Sequence, residues 1–254
     1  MILRALPFPV LLGLLLACGT TGPRWTPLSS GDPRPEQLLA AQAGRVENRR
    51  ALRATARVRL EGQGSGFFAK ELLLLERPAR LRVEVLGLLG QRVALLASDG
   101  SRYALWRAET GRLERGPVSP DILFQVSGVP LRPEEAVALL LGAPRLPTSA
   151  PHAQRISEAG AVRLAWREAG WSRVAEFDPL GRLRAWRVGR AEELWLVARW
   201  EDFREESAQA FAHRVELDFP VRDQSARVDF HEVELNPVLS PELFELQLAR
   251  DARS

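Results

Sequence analysis

Few side chains in this sequence could do chemistry, and their spacing decides what kind. Cys18 is the only thiol of the 254 residues, and His152, His213 and His231 are the only imidazoles. An internal disulfide is therefore impossible, and no ligand set has zinc spacing. His213 and His231 each lie near a carboxylate, Asp218 or Asp229, that could make a general base of them. Alternation favours a plainer reading, because His213, Val215 and Leu217 fall on one face of a strand and Arg214, Glu216 and Asp218 on the other. Ser65 lies among Gly62, Gly64 and Gly66, but the order is not that of a nucleophile elbow, and no helix follows to hold a phosphate. A hairpin turn explains these glycines better. Glu134 and Glu135 follow Pro133 as acids do in a helix's first turn, where they complement the dipole. The chain reads as a non-enzyme with no cofactor and no metal.

Composition narrows the class further. With 46% hydrophobic and 26% charged residues, 19 Gly and 18 Pro, the chain can build one sizeable core, which excludes disorder and collagen. Its 35 basic and 32 acidic residues leave a net charge of +3, and Lys70 is the only lysine. Arginine and acid are interleaved, as in Arg57 to Glu61 and Arg199 to Glu206, which marks a solvated face. A nucleic-acid binder would cluster its basic residues instead.

Residues 1–17 read as a signal peptide: a positive start ending at Arg4, then an apolar run from Ala5 to Ala17 that is too short to span a bilayer. Cys18 stands directly after Leu15, Leu16 and Ala17, and this arrangement resembles a bacterial lipobox, with Leu16 bulkier than the residue usual there. The resemblance implies cleavage before Cys18 and acylation of its thiol and new amino terminus. An ordinary secretory signal would leave a lone free thiol at the cleavage site unexplained. Several acyl chains on one residue anchor a protein durably where one holds it marginally. Gly19, rather than Asp, follows the cysteine, and by resemblance to enterobacterial sorting signals this implies the outer membrane.

Residues 18–35, rich in Gly, Pro, Thr and Ser, read as a flexible tether. The folded domain is expected over 36–248. Leu38, Leu39, Gln42 and Val46 have helical spacing, which predicts a leading helix to about Arg50. Leu52, Ala54, Ala56, Val58 and Leu60 then alternate with polar residues, the period of a strand with one buried face. Strand-like segments recur from Phe67 to Glu114 and again from Val162 to Leu235, with turn residues between them. A helical pattern interrupts between Pro120 and Gly142. The architecture expected is mainly β: an antiparallel meander of about eleven strands that curls into a half-open barrel, with a leading helix and a central helical insertion. Periodicity leaves open whether that insertion completes a solid core or roofs a cavity.

The lipobox, meander and central helix pair together resemble the lipoprotein-localisation family, the LolA-type periplasmic carriers and especially the LolB-type outer-membrane receptors. The stretches that carry this are Arg80 to Gly90, Ser127 to Leu131 with Leu139 to Pro144, and Val233 to Pro237 with Phe244 following. The glycine-leucine loop lacks the family's proline, and Trp171 to Phe211 matches only in strand pattern. The resemblance implies a hydrophobic cavity that takes acyl chains of client lipoproteins from a LolA-type carrier and releases them into outer-membrane lipid, in a lipid-anchored monomer on the periplasmic face that binds no nucleic acid. Val83, Val85, Trp106, Ile122, Phe124, Leu140, Leu164 and Trp166 are the residues expected to line the cavity. The loop Gly87-Leu88-Leu89-Gly90 is expected at a hairpin tip. There Leu88 and Leu89 either fold onto the core edge or, as the family's loop leucine at the position of Leu89 implies, dip into the outer leaflet. Most of the seven tryptophans read as packing residues, the remainder as cavity or interface residues. Two alternatives stay open: a solid scaffold supporting an outer-membrane assembly, and a carrier of another lipid.

Overall fold

The computed structural model describes residues 24–62 and 65–245. Strand β1 (Trp25–Pro27) precedes helix α1 (Arg34–Asn48). A first meander follows: β2 (Ala51–Gly62), β3 (Ser65–Glu76), β4 (Arg80–Leu86), β5 (Arg92–Ser98), β6 (Arg102–Arg107) and β7 (Leu113–Pro117). Helices α2 (Ile122–Ser127) and α3 (Pro133–Leu140) come next. The second meander is β8 (Ala153–Ser157), β9 (Val162–Glu168), β10 (Trp171–Phe177), β11 (Leu183–Arg190), β12 (Glu193–Glu206), β13 (Gln209–Phe219) and β14 (Gln224–Leu235).

All fourteen strands form one antiparallel sheet in the order β1-β8-β9-β10-β11-β12-β13-β14-β2-β3-β4-β5-β6-β7. The two meanders join where β14 pairs along β2, from Gln224 opposite Gly62 to Leu235 opposite Leu52. The ends of the sheet, β1 and β7, do not meet, so the barrel stays open. The expected half-open antiparallel architecture is present, with fourteen strands rather than eleven. The stretch expected as tether is ordered from Trp25 onward: Trp25 pairs with Ser157 of β8, and the Arg163 guanidinium lies 4.0 Å from the centre of its ring. Three residues ending in proline are too short to show a period, and the edge position suits Pro27, which has no N–H to donate.

Burial follows the alternation of β2, where Leu52, Ala54, Ala56 and Val58 are buried and Arg53, Arg57 and Arg59 exposed. The half of the sheet built from β9 to β13 buries the largest side chains of the core. Trp166, Phe177, Trp200 and Phe211 are all fully buried there. The other half, β2 to β6, is roofed on its inner face by α2 and α3. Its outer face is covered in part by the segment after β14, whose turn Pro241–Phe244 contacts β4 and β5. Phe244 packs there with Ala51 and Leu239, and the buried Arg82 guanidinium donates to the Leu243 carbonyl at 3.0 Å.

Candidate functional site

Beneath α2 and α3 the inner face is not filled. A cavity of about 410 Å³ remains, floored by Leu73, Leu75, Leu81, Val83, Val85 and Leu96 and roofed by Leu123, Val126, Val137 and Leu140. One row of the floor runs across four strands in register: Glu71, Val85, Ala94 and Arg107. The small side chain of Ala94 leaves space between bulkier neighbours. Among the described residues lining the cavity, Glu71 and Arg107 are the charged ones. Arg107 is paired with Glu114 at 2.8 Å. Glu71 is only 7% exposed, and burial pushes its carboxyl up to about 7.

The roof is pinned at one end. The last carbonyls of a helix lack partners within it, and here side chains from other elements supply donors. Trp200 Nε1 donates to the Leu139 carbonyl at 3.0 Å. The Arg49 guanidinium donates to Leu141 at 3.2 Å and to Ala210 at 2.6 Å, tying the end of α3 to β13. Gln42 Nε2 donates to the Pro144 carbonyl at 3.1 Å and Arg77 Nη2 to that of Ala143 at 2.5 Å. Desolvation, with Arg45 and Arg77 close by, lowers the Arg49 pKa to about 10, so it stays charged at neutral pH and suits a helix C-terminus.

Of the residues expected to line the cavity, the structure brings Val83, Val85 and Leu140 to its wall. The others lie elsewhere. Ile122 is buried in the core beside the cavity, and Phe124 is on the outer side of α2, 39% exposed beneath the Arg222 guanidinium. Leu164 and Trp166 are buried on β9, where the Trp166 indole donates to the Ser149 carbonyl and meets Trp186 edge-on at 6.2 Å. Trp106 is on the outer face with Leu95, Ala97 and Ala104. Alternation separates the two faces of β5 and β6 but cannot say which is concave, and both are apolar because the outer one is also covered. Glu71, Leu73 and Leu75 were missed among cavity residues because Leu72 to Leu75 is a continuous apolar run. Their shared parity was the available signal.

Leu88 and Leu89 stand at the tip of the β4–β5 hairpin, 104% and 94% exposed. The β2–β3 hairpin turns at the same end of the sheet, since Lys70 pairs with Leu86, and it adds Phe67 and Phe68, 41% and 61% exposed. Phe67 also lines the cavity. One end of the sheet thus carries an apolar rim continuous with the cavity wall, with the Arg59 guanidinium 5.6 Å from the Phe68 ring centre. On the other side of α3 lies an open groove of about 720 Å³ where Trp171 and Trp195 meet edge-on at 5.9 Å among Arg77, Arg173 and Glu134.

The catalytic alternatives find no geometry. His213 is buried between the Phe230 carbonyl and Glu206, away from Asp218, which pairs with Arg199, and from Asp229, which pairs with Arg214 and Arg227. His231 is exposed beside an irregularity of β14. Gly62 pairs with Ser65 where β2 turns into β3. Glu135 accepts the Arg132 backbone N–H at 3.0 Å, a helix-start role. Among the described residues no group of three or more His, Cys, Asp or Glu comes together, and no helix is long and apolar enough to cross a membrane. Cys18, with residues 1–17, lies outside the described residues.

No protein-family model matches the sequence, and no curated protein matches it. Solved structures do share the fold. A domain from Vibrio parahaemolyticus described as an outer membrane lipoprotein-sorting protein domain superposes with a TM-score of 0.53 at 12% identity, covering 82% of this chain and 95% of that one. A DUF1329 family protein from Desulfovibrio piger gives 0.54 at 10%, covering 84% and 98%. A LolA superfamily protein from Nitrosomonas europaea gives 0.51 at 12%, covering 83% and 97%. The chain therefore shares the curled, open antiparallel sheet of these structures.

Proposed function

We propose that this chain is an outer-membrane-anchored receptor of LolB type, which accepts the acyl chains of client lipoproteins from a LolA-type periplasmic carrier and passes them to outer-membrane lipid. The observation that carries the reading is the apolar cavity beneath α2 and α3, about 410 Å³ in volume, with Val85, Ala94 and Phe67 of its wall toward the end of the sheet where Leu88 and Leu89 are exposed. Its size lies in the range of small-molecule sites, about 300–1,000 Å³. An acyl chain of about 16 carbons in water leaves on the order of 12 kcal/mol of burial unmet, at about 0.8 kcal/mol per CH₂. Passage through water is therefore slow without a carrier, and transfer needs only that the cavity's affinity fall between those of carrier and bilayer.

In this reading residues 1–17 are the signal and an acylated Cys18 is the anchor. The domain works as a monomer, and Leu88 and Leu89 enter the outer leaflet at the periplasmic face. Stoichiometric uptake of an apolar fluorescent probe by the folded protein tests the cavity, and a protein that binds none is a solid scaffold. Mass spectrometry of the mature chain tests the anchor, and an unmodified Cys18 thiol removes it.

A further inference from the structure

Glu71 has no structural role that its surroundings reveal. It lies mid-strand on β3, its side chain is 7% exposed, and it lines the cavity with no hydrogen-bond or ion-pair partner among the described residues. Every element around it is apolar at the facing positions: Ala56 and Val58 on β2, Val85 on β4, Ala94 on β5, Ala136, Val137 and Leu140 on α3, and Leu123 and Val126 on α2. The other charge on the cavity wall, Arg107, is three strands away along the same row and is held by Glu114. At about 4.8 Å per strand the two backbones are roughly 14 Å apart. Ser127, the one neutral polar residue of the wall, gives its hydroxyl to the Leu123 carbonyl at 2.8 Å.

A purely hydrocarbon ligand would leave this carboxyl without a partner and strip it of what water it has, which is unfavourable in either protonation state. A ligand that brings an N–H donor satisfies it, and a cationic donor does so best because the paired hydrogen bond is charge-assisted. We propose that Glu71 is a headgroup site inside the cavity, which selects amphiphiles carrying a primary ammonium at the head of the chain, amine-headed lipids in particular. The inference deepens the acyl-cavity reading and rests on it. Burial keeps the empty site largely protonated below neutral pH, so an ammonium ligand must draw off that proton, while the same burial makes the resulting pair poorly screened. The preference for an ammonium head accordingly grows as pH rises through 7.

The test is displacement of a neutral fluorescent probe from the purified full chain, with dodecylammonium against dodecanol, and lysophosphatidylethanolamine against lysophosphatidylglycerol, at pH 5.5 and 8. At pH 8 each amine should bind about tenfold tighter than its partner, the scale of a single charge-assisted contact, and the ratio should shrink at pH 5.5. Glu71→Gln keeps the shape, so it should retain dodecanol binding and lose the preference at both pH values. Equal binding within either pair at pH 8, or a preference that survives in Glu71→Gln, overturns the headgroup site while leaving the cavity intact. Failure of the neutral probe to bind the unmodified chain overturns the cavity reading itself, and this inference with it.

Discussion

The indole N–H of Trp200, on β12, donates to the carbonyl of Leu139, on α3, across 3.0 Å in a fully buried position. A residue of the second meander thereby holds the helix that roofs the cavity of the first. The Leu139 carbonyl also accepts the Gly142 N–H at 2.9 Å, so it is not orphaned when the indole is lost. Trp200→Phe should therefore cost about 2 kcal/mol, roughly 1 for the hydrogen bond and the rest for packing around a smaller ring. Denaturant unfolding measures the cost, and hydrogen exchange of α3 should accelerate more than that of β2. A variant with unchanged stability and unchanged α3 protection would mean that the roof is held by Arg49, Arg77 and Gln42 alone.

Buried and cavity-facing positions should answer differently to truncation. Leu164 is completely buried on β9, and Leu164→Ala should cost about 3 to 4 kcal/mol, as large-to-small changes do where the site cannot collapse. Val83 is half-buried and faces the cavity. Val83→Ala removes less burial and leaves no new void, so it should cost about 1 kcal/mol and shift apolar-probe affinity. Equal costs in urea unfolding, with no change in binding, would place Val83 in a solid core.

How much of this was legible before the fold was known depends on what each residue's neighbours did to the pattern. The alternation of Leu52 to Leu60 gave the strand and its buried face correctly, because Arg53, Arg57 and Arg59 are exposed. The glycines around Leu88 and Leu89 likewise placed those leucines at a turn. What periodicity lacks is the sign of curvature. Trp106 and Leu105 sit on opposite faces of β6, yet both are shielded, one with the outer cluster of Leu95 and Ala104 and the other by the roofed cavity. Nothing local tells them apart. Phe124 fails for a related reason, since a helix of six residues carries too short a period to say which side meets the sheet. The short edge strand at Trp25 was hidden by its prolines and by a partner, β8, far along the chain.

Glu71 predicts a pH dependence of stability. Its carboxyl titrates near 7 in the folded chain against an ordinary 4.5, because burial disfavours the charged form. The neutral acid is therefore easier to bury than the carboxylate. Stability is greatest below about pH 4.5 with respect to this group, falls as pH rises from 4.5 to 7, and is level above. A shift of this size corresponds to on the order of 3 kcal/mol. Urea midpoints at pH 5 and 8 should show the fall in the unmodified chain and much less of it in Glu71→Gln. A parallel fall in both would assign the effect to other groups.

The last prediction concerns delivery. Leu88 and Leu89 have almost no protein to pack against, at 104% and 94% exposure, while Gly87 N–H donates to the Gln91 carbonyl and Gly90 N–H to that of Gly87, closing the tip without help from either leucine side chain. Replacing one of them should leave the hairpin formed. Exposed paired leucines are unfavourable in water, and with Phe67 and Phe68 beside them they make an apolar edge suited to lipid. A charge at the tip opposes entry into the leaflet by roughly 2 to 3 kcal/mol if it must reach hydrocarbon, less if it stays among headgroups. Leu89→Glu should then fold and take up the apolar probe as the unmodified chain does, yet pass a lipoprotein to liposomes about tenfold or more slowly. Transfer at the unmodified rate would show that the tip does not enter the bilayer, and slow transfer accompanied by lost probe uptake would place the defect in the cavity rather than at the membrane.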